Sequence, residues 1–254
     1  MYKTCYINQP YGLGDVIICE PIARHYYNLG YKIKYWIKEE YKWIQDYIPY
    51  VDFISGSNNY IVSNQSIFEE NYIYLPLIFT GSLKKSNYVS LDICNKFIIS
   101  NIIEWEKVGW LYDKYIISNL KPELWKTFEY IRNIDKEKKL YNHLNLENKE
   151  YILVNEHSSI AHRSLNITSN YEIIKMSNID GYTMLDWHEV MKNAKEVHTV
   201  STSICYPLIK INHPNVKIYN RISLNDGTFD SVKDIFEPFK FKYEGQDDQR
   251  KIFL

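Results

Sequence analysis

Gln9-Pro10-Tyr11-Gly12-Leu13-Gly14-Asp15-Val16-Ile17-Ile18-Cys19-Glu20-Pro21-Ile22-Ala23-Arg24 packs a strand end, a glycine turn and a helix start into one short stretch. Upstream, Thr4-Cys5-Tyr6-Ile7 reads as a buried first strand. Downstream, Ile18, Ile22, His25 or Tyr26, and Leu29 recur at three- and four-residue spacing, the apolar stripe of a helix laid on that strand. Gly12 and Gly14 are expected to turn the backbone sharply and to take positive φ, which a residue without a side chain does at little cost. Asp15 then falls at the expected N-cap, where a carboxylate meets free backbone N–H groups. A plain cap and a chemical role are both open to it. Pro21 must lie in a first helical turn or kink the helix. The stretch is no dinucleotide fingerprint: Ile17 replaces the third glycine, and no acidic residue closes a second strand.

Outward from this unit the pattern repeats. Lys32–Ile37 alternates as a second strand, Glu39–Ile48 reads as a helix ended by Pro49, and Val51–Ile54 and Tyr72–Leu75 are further strands with a loop over Ser55–Asn59. Helical patterning returns over Leu91–Trp110 and Pro122–Ile131, with Pro122 in a first turn. The polar run from Asp135 to Glu150 reads as a linker, with the boundary at Leu146–Glu150, so the expected domains are 1–146 and 151–254.

The second half restarts with the apolar strand Tyr151–Asn155, which runs into the polar loop Glu156–Arg163. Ile173–Met176 is a candidate strand, Met184–Asn193 a helix and Val197–Val200 a strand. Ser201, Thr202 and Ser203 are expected to open a helix through Ile211, and Val216–Tyr219 is the last expected strand. Repeated βα units imply parallel sheets covered by helices, an α/β fold in two Rossmann-like lobes. Small hydroxyl residues between strand and helix suit an anion site, or simply cap the helix. Arg163 alone reads as a solvated charge. His157 and His162, five residues apart and without a third ligand, do not make a metal site. Nucleophile-elbow, Walker and zinc patterns are absent from the sequence.

At 254 residues the chain suits one large domain or two small ones. It should bury roughly 70 to 75 % of its unfolded surface. Hydrophobic residues make up 45 % and charged residues 24 %, as in ordinary globular proteins, while 24 tyrosines are an excess. A net charge of -1 gives no general grip on nucleic acid or an anionic membrane. The four cysteines, Cys5, Cys19, Cys94 and Cys205, lack any C-x-x-C spacing and read as free buried thiols in a reducing compartment. With neither a spanning-length apolar run nor a signal-peptide core, a cytoplasmic protein is expected.

Gly12-Leu13-Gly14-Asp15-Val16-Ile17 followed by Pro21-Ile22-Ala23-Arg24 resembles the G-x-G-D-V/I opening of the ADP-heptose:lipopolysaccharide heptosyltransferase family. Thr183-Met184-Leu185-Asp186-Trp187, Asn193-Ala194-Lys195-Glu196-Val197 and Val200-Ser201-Thr202-Ser203-Ile204-Cys205-Tyr206 resemble that family's closing helix, strand and phosphate loop. The resemblance implies a GT-B fold with an interlobe cleft, a shortened second lobe, and a tail over Ser231–Phe239 that packs back on the first lobe. It implies an inverting transferase that needs neither metal nor other cofactor and takes a nucleotide-diphosphate sugar as co-substrate. The acceptor would be a glycan, a glycolipid, a protein or a modified nucleic-acid base. Asp15 matches the family's general base on an acceptor-side lobe. Thr202 matches a phosphate-loop threonine, and Ser158, Ser159 and Arg163 fall where hydroxyls and a lysine hold the diphosphate. Ser201 stands where the family has aspartate, Ser203 where it has glycine, and Tyr206 where it has histidine. A non-catalytic sugar- or nucleotide-binding module of the same descent is therefore the alternative, and oligomeric state is not set by these motifs.

Overall fold

The computed structural model describes residues 3–9, 12–55, 66–77, 111, 114–158, 162–219, 236, 239 and 241–244. The chain divides into two compact units, Met1–Ile131 and Arg132–Leu254. Each has its own sheet, giving the expected α/β architecture.

In the first unit, β1 (Thr4–Asn8), β2 (Lys32–Ile37), β3 (Val51–Ser55), β4 (Ile67–Phe68) and β5 (Tyr72–Leu75) form a sheet of order β3-β2-β1-β5-β4. Every pairing is parallel except β4 against β5. Side chains alternate across a strand, so Cys5 and Ile7 face the core while Tyr6 stacks on Trp36 at 5.3 Å on the other face.

The expected single first helix is two helices, α1 (Leu13–Ile18) and α2 (Glu20–Asn28), broken at Cys19. Pro21, in the first turn of α2, has no N–H for a continuous ladder, and the break places it where none is needed. Ile18, Ile22 and Tyr26 are buried as the stripe requires, but Leu29 lies past the helix end and is exposed. Gly30 at φ +85° closes α2: its N–H reaches Tyr27 O at 2.9 Å and that of Tyr31 reaches Tyr26 O at 3.1 Å.

Glu39–Asp46 is a 3₁₀ helix rather than the expected α-helix. Tyr41, Ile44 and Tyr47 are buried at three-residue spacing, which a three-per-turn helix aligns on one face. The expected helix over 122–131 is likewise a 3₁₀ helix, Pro122–Thr127. It is tied to α2 through buried Glu20, which accepts from Arg24 Nε at 2.9 Å, from Glu129 N at 2.7 Å and from the Tyr50 hydroxyl. The helix expected over 91–110 and most of the loop expected over 55–59 lie outside the described residues.

In the second unit β6 (Tyr151–Asn155), β7 (Glu172–Lys175), β8 (Glu196–Val200), β9 (Val216–Tyr219) and β10 (Lys242–Glu244) form a parallel sheet of order β10-β9-β8-β6-β7. Val216–Tyr219 is thus not the last strand. The polar run expected as a linker holds helix α3 (Ile134–His143), capped by the Asn133 side chain, which accepts from Lys136 N at 3.1 Å. Its polarity is deceptive because buried Glu137 is matched by Arg132, whose Nε donates to it at 3.0 Å. The expected helix over 184–193 is a 3₁₀ turn, Met184–Trp187, followed by α4 (His188–Asn193). The helix expected to open at Ser201 is α5 (Cys205–Ile211).

Between β6 and β7 the described chain is irregular rather than helical, and Leu165 packs on Ile152, Val154 and Val200 in place of a helix. That is the shortening the sequence implied. Of the described tail residues, Phe241 packs against both Phe236 and Phe239, and Phe236 against Tyr206, at ring separations of 5.7 to 6.2 Å. Cys5, Cys19 and Cys205 are buried free thiols, and Cys94 lies outside the described residues. Among the described residues, no helix is long and apolar enough to cross a membrane.

Candidate functional site

In open parallel sheets, ligands bind beyond the strand C-terminal ends where the strand order reverses. The order reverses between β1 and β5 in the first unit, and between β6 and β8 in the second. The residues singled out in the sequence follow β1, β6 and β8, so both reversal points are occupied by them.

At the first reversal point, Asn8 and Gln9 are buried, and Asn8 Nδ2 donates to the Tyr74 hydroxyl on β5 at 3.1 Å. Gly12 is the N-cap of α1 in extended backbone, φ −70° and ψ 151°, and Gly14 lies inside the helix. Neither supplies the positive-φ turn expected of it: among the described glycines, Gly30 and Gly181 have positive φ. The gap at Gly12 instead makes room for a side chain, since a Cβ there would lie 3.3 Å from Asp15 Oδ2.

Asp15 is not a cap either. It is the third residue of α1, and the cap makes no side-chain hydrogen bond. Its Oδ1 lies 3.3 Å from Lys114 Nζ, which also donates to Leu77 O, just after β5, at 3.0 Å. The Lys114 side chain is 2 % exposed and that of Asp15 27 %. A buried ammonium is tolerable only with such partners, whereas the carboxylate keeps a solvent-facing side. Next in the chain, the Tyr115 hydroxyl donates to Ile18 O, holding the other end of α1. Cys19, close enough to feel both charges, has its thiol pushed up to about 12 by burial, so it stays protonated.

At the second reversal point, Asn155 Nδ2 donates to Thr199 Oγ1 at 3.0 Å and to His157 O at 3.2 Å, joining β6, β8 and the loop after β6. Buried Glu156 closes that loop. Its Oε1 accepts from Leu165 N at 2.7 Å, its Oε2 from Lys175 Nζ at 2.8 Å, and its carbonyl from Arg163 N at 2.9 Å. Burial alone would raise the Glu156 carboxyl, but the Lys175 and Leu165 hydrogen bonds outweigh it and hold the group below the usual range.

Ser158 and Arg163 lie on this loop, and Ser159 lies outside the described residues. Ser201, Thr202 and Ser203 form the turn after β8 and cap nothing, because the N-cap of α5 is Ile204. Ser201 N donates to Tyr219 O at 2.8 Å, the Thr202 carbonyl accepts from Cys205 N at 3.1 Å, and the Ser203 hydroxyl contacts Met184 Sδ at 3.3 Å. The His157 and His162 rings are 4.5 Å apart on paired segments of the loop. Among the described residues, no group of three His, Cys, Asp or Glu side chains is placed to hold a metal ion.

Lys114, Asn155 and Glu156 were missed as site residues. Lys114 stands beside Tyr115 and Ile116 in a helical apolar run, where a lone lysine is a signal of pairing. Asn155 and Glu156 are polar, yet they close a strand that is otherwise wholly apolar and buried.

No protein-family model matches this sequence, and no curated protein matches it. One solved structure, described as the crystal structure of the glycosyl transferase family 9 from Veillonella parvula DSM 2008, is similar to 99 % of this chain and 90 % of its own, with 11 % identity and a TM-score of 0.44.

Proposed function

We propose that the protein is an inverting, metal-independent glycosyltransferase that moves a sugar from a nucleotide-diphosphate sugar to an acceptor hydroxyl. The observation that supports this most is the partly exposed Asp15 carboxylate, set in the first turn of α1 beyond the strand where the sheet order reverses. Asp15 takes the acceptor hydroxyl proton, the acceptor oxygen bonds to the anomeric carbon, and the bond from that carbon to the diphosphate breaks. The bonding pair leaves with the nucleoside diphosphate. Its charge is met by Arg163, by the Ser158, Ser159, Ser201, Thr202 and Ser203 hydroxyls, and by backbone N–H groups of the two loops. Attack from the face opposite the leaving group inverts the anomeric centre. A glycan, a glycolipid, a protein or a modified base supplies the hydroxyl.

A non-catalytic sugar- or nucleotide-binding role is favoured by one observation, that Lys114 already engages Asp15 Oδ1. Thermal-shift screening with nucleoside diphosphates and their sugars identifies the donor, because a ligand at a hundred times its Kd stabilises by about 2.7 kcal/mol. Release of nucleoside diphosphate from the bound donor is then followed by mass spectrometry across acceptor classes. Release by the wild type and its loss in Asp15→Asn support the transferase; tight binding with no release across that set supports the binding module.

A further inference from the structure

Asp15 and Lys114 form an unequal pair. The ammonium is sealed inside at 2 % exposure, and the carboxylate it meets is 27 % exposed. The lysine is also fixed from its own side by Leu77 O at 3.0 Å, the carbonyl that follows β5. The turn carrying it is tied down at two more points: the Tyr115 hydroxyl donates to Ile18 O, and Ser118 O accepts from the Tyr26 hydroxyl at 2.7 Å. The lysine is therefore part of a rigid wall rather than a mobile surface charge. Asp15 Oδ1 points to that wall, while Oδ2 lies toward Gly12, where a Cβ would stand only 3.3 Å away. One carboxylate oxygen is held by charge and the other is left beside bare backbone.

We propose that Lys114 is a positioning residue for the transfer reaction: it holds Asp15 by Oδ1, so that Oδ2 is presented as the oxygen that takes the acceptor proton. This rests on Asp15 being the base. In the transfer step the proton passes from the acceptor hydroxyl to Oδ2, and Lys114 takes no part in the proton transfer. A carboxylate free to rotate would spend most of its time in unproductive geometry, and small misplacements of a catalytic group cost large factors in rate. In this role Lys114 acts through Asp15 rather than on donor or acceptor, so its loss acts on kcat and leaves donor affinity alone.

The test uses the full chain as wild type, Lys114→Met, Lys114→Arg, Asp15→Asn and the Lys114→Met/Asp15→Asn double variant. The first readout needs no substrate: water-soluble carbodiimide couples glycine ethyl ester to Asp15, followed by peptide mass spectrometry. Lys114→Met should couple several-fold faster than wild type, and Lys114→Arg close to wild type, because only the former frees Oδ1. The second readout is nucleoside diphosphate release from ADP-, GDP-, UDP- or CDP-sugars. Lys114→Met should lower kcat roughly 10- to 100-fold with donor KM unchanged, and should cost nothing further in Asp15→Asn, since it acts through that group. A folded Lys114→Met with wild-type coupling rate, or with wild-type kcat, overturns the positioning role. If Lys114→Met does not fold, Lys114→Gln, which removes the charge but keeps a donor for Leu77 O, decides on the same readouts: faster coupling with kcat lowered at constant donor KM supports the role, and a wild-type coupling rate or kcat overturns it. Wild-type turnover by Asp15→Asn overturns the transferase base itself, whatever the coupling rates show.

Discussion

Asn155 reaches across the second sheet to Thr199, Nδ2 to Oγ1 at 3.0 Å, at the ends of the two strands between which the strand order reverses. The Thr199 hydroxyl in turn donates to Val200 O at 2.8 Å, so the chain of bonds ends at the turn that carries Ser201 to Ser203. Thr199 is fully buried and Asn155 is 5 % exposed, so losing one partner leaves a buried polar group unpaired. Thr199→Val keeps the shape and removes the acceptor, so denaturant unfolding should show a loss of about 1 to 3 kcal/mol. Affinity for a nucleoside diphosphate, read by calorimetry, should fall with it because both loops start at this bond.

Glu156 sets a pH dependence whose sign follows from its contacts. Burial works against its charge, but the Lys175 and Leu165 bonds win and the folded carboxyl lies below the usual range. Its contribution is therefore fully present above the unfolded-chain value, near about 4.3, and is lost as pH falls through the lower folded value. Amide exchange over 156–165, corrected for intrinsic rate, should rise on acidification. In Glu156→Gln, where Leu165 N can keep its acceptor, that dependence should flatten. Glu20 works the other way: burial outweighs Tyr50, Arg24 and Glu129 and raises its carboxyl, so its contribution is present in acid and lost as pH rises through the folded value. Acidification below the usual carboxylate range should therefore loosen the Glu156 loop while leaving the Glu20 cluster of the first unit protected.

Arg163 and Thr202 stand on the two loops that leave β6 and β8. If these loops hold a diphosphate, Arg163→Ala and Thr202→Val should each weaken nucleoside diphosphate binding by about 1 to 3 kcal/mol, the size of a lost charge-assisted contact. The nucleoside alone should bind nearly as before. Unchanged diphosphate affinity in both variants would move the donor phosphates elsewhere.

The sheets are legible in the sequence because strand burial writes itself directly into composition: the expected strands Tyr151–Asn155 and Lys32–Ile37 coincide with β6 and β2. Helices are less so. The Cys19 break and the 3₁₀ turn at Glu39–Asp46 depend on where Pro21 and the three-residue spacing of Tyr41, Ile44 and Tyr47 fit against the sheet. Helix α3 was hidden because Glu137 is a core residue only by virtue of Arg132. At the site, local motifs pointed to Asp15 and the hydroxyl turn, but their partners come from strand pairing and from a distant helix, and spacing along the chain does not carry that information.

Gly12 gives the most discriminating variant. Its backbone at φ −70° and ψ 151° suits any residue, so Gly12→Ala introduces no strain and restricts the unfolded chain. On that ground alone it should stabilise by about 0.4 to 1 kcal/mol. The new Cβ, however, would sit 3.3 Å from Asp15 Oδ2, closer than is comfortable. The carboxylate is pinned on its other oxygen by Lys114, so it cannot simply swing away without breaking a 3.3 Å ion pair. The two effects separate cleanly in measurement. Thermal unfolding of Gly12→Ala should be unchanged or slightly improved, while nucleoside diphosphate release should fall by a factor on the order of 10, because a base displaced by a few tenths of an ångström loses its alignment. Donor KM should not move, since the substituted glycine belongs to the first unit, beside the carboxylate, and the loops assigned to the diphosphate belong to the second. A stable Gly12→Ala protein with full turnover would mean that Oδ2 is not the oxygen that takes the proton.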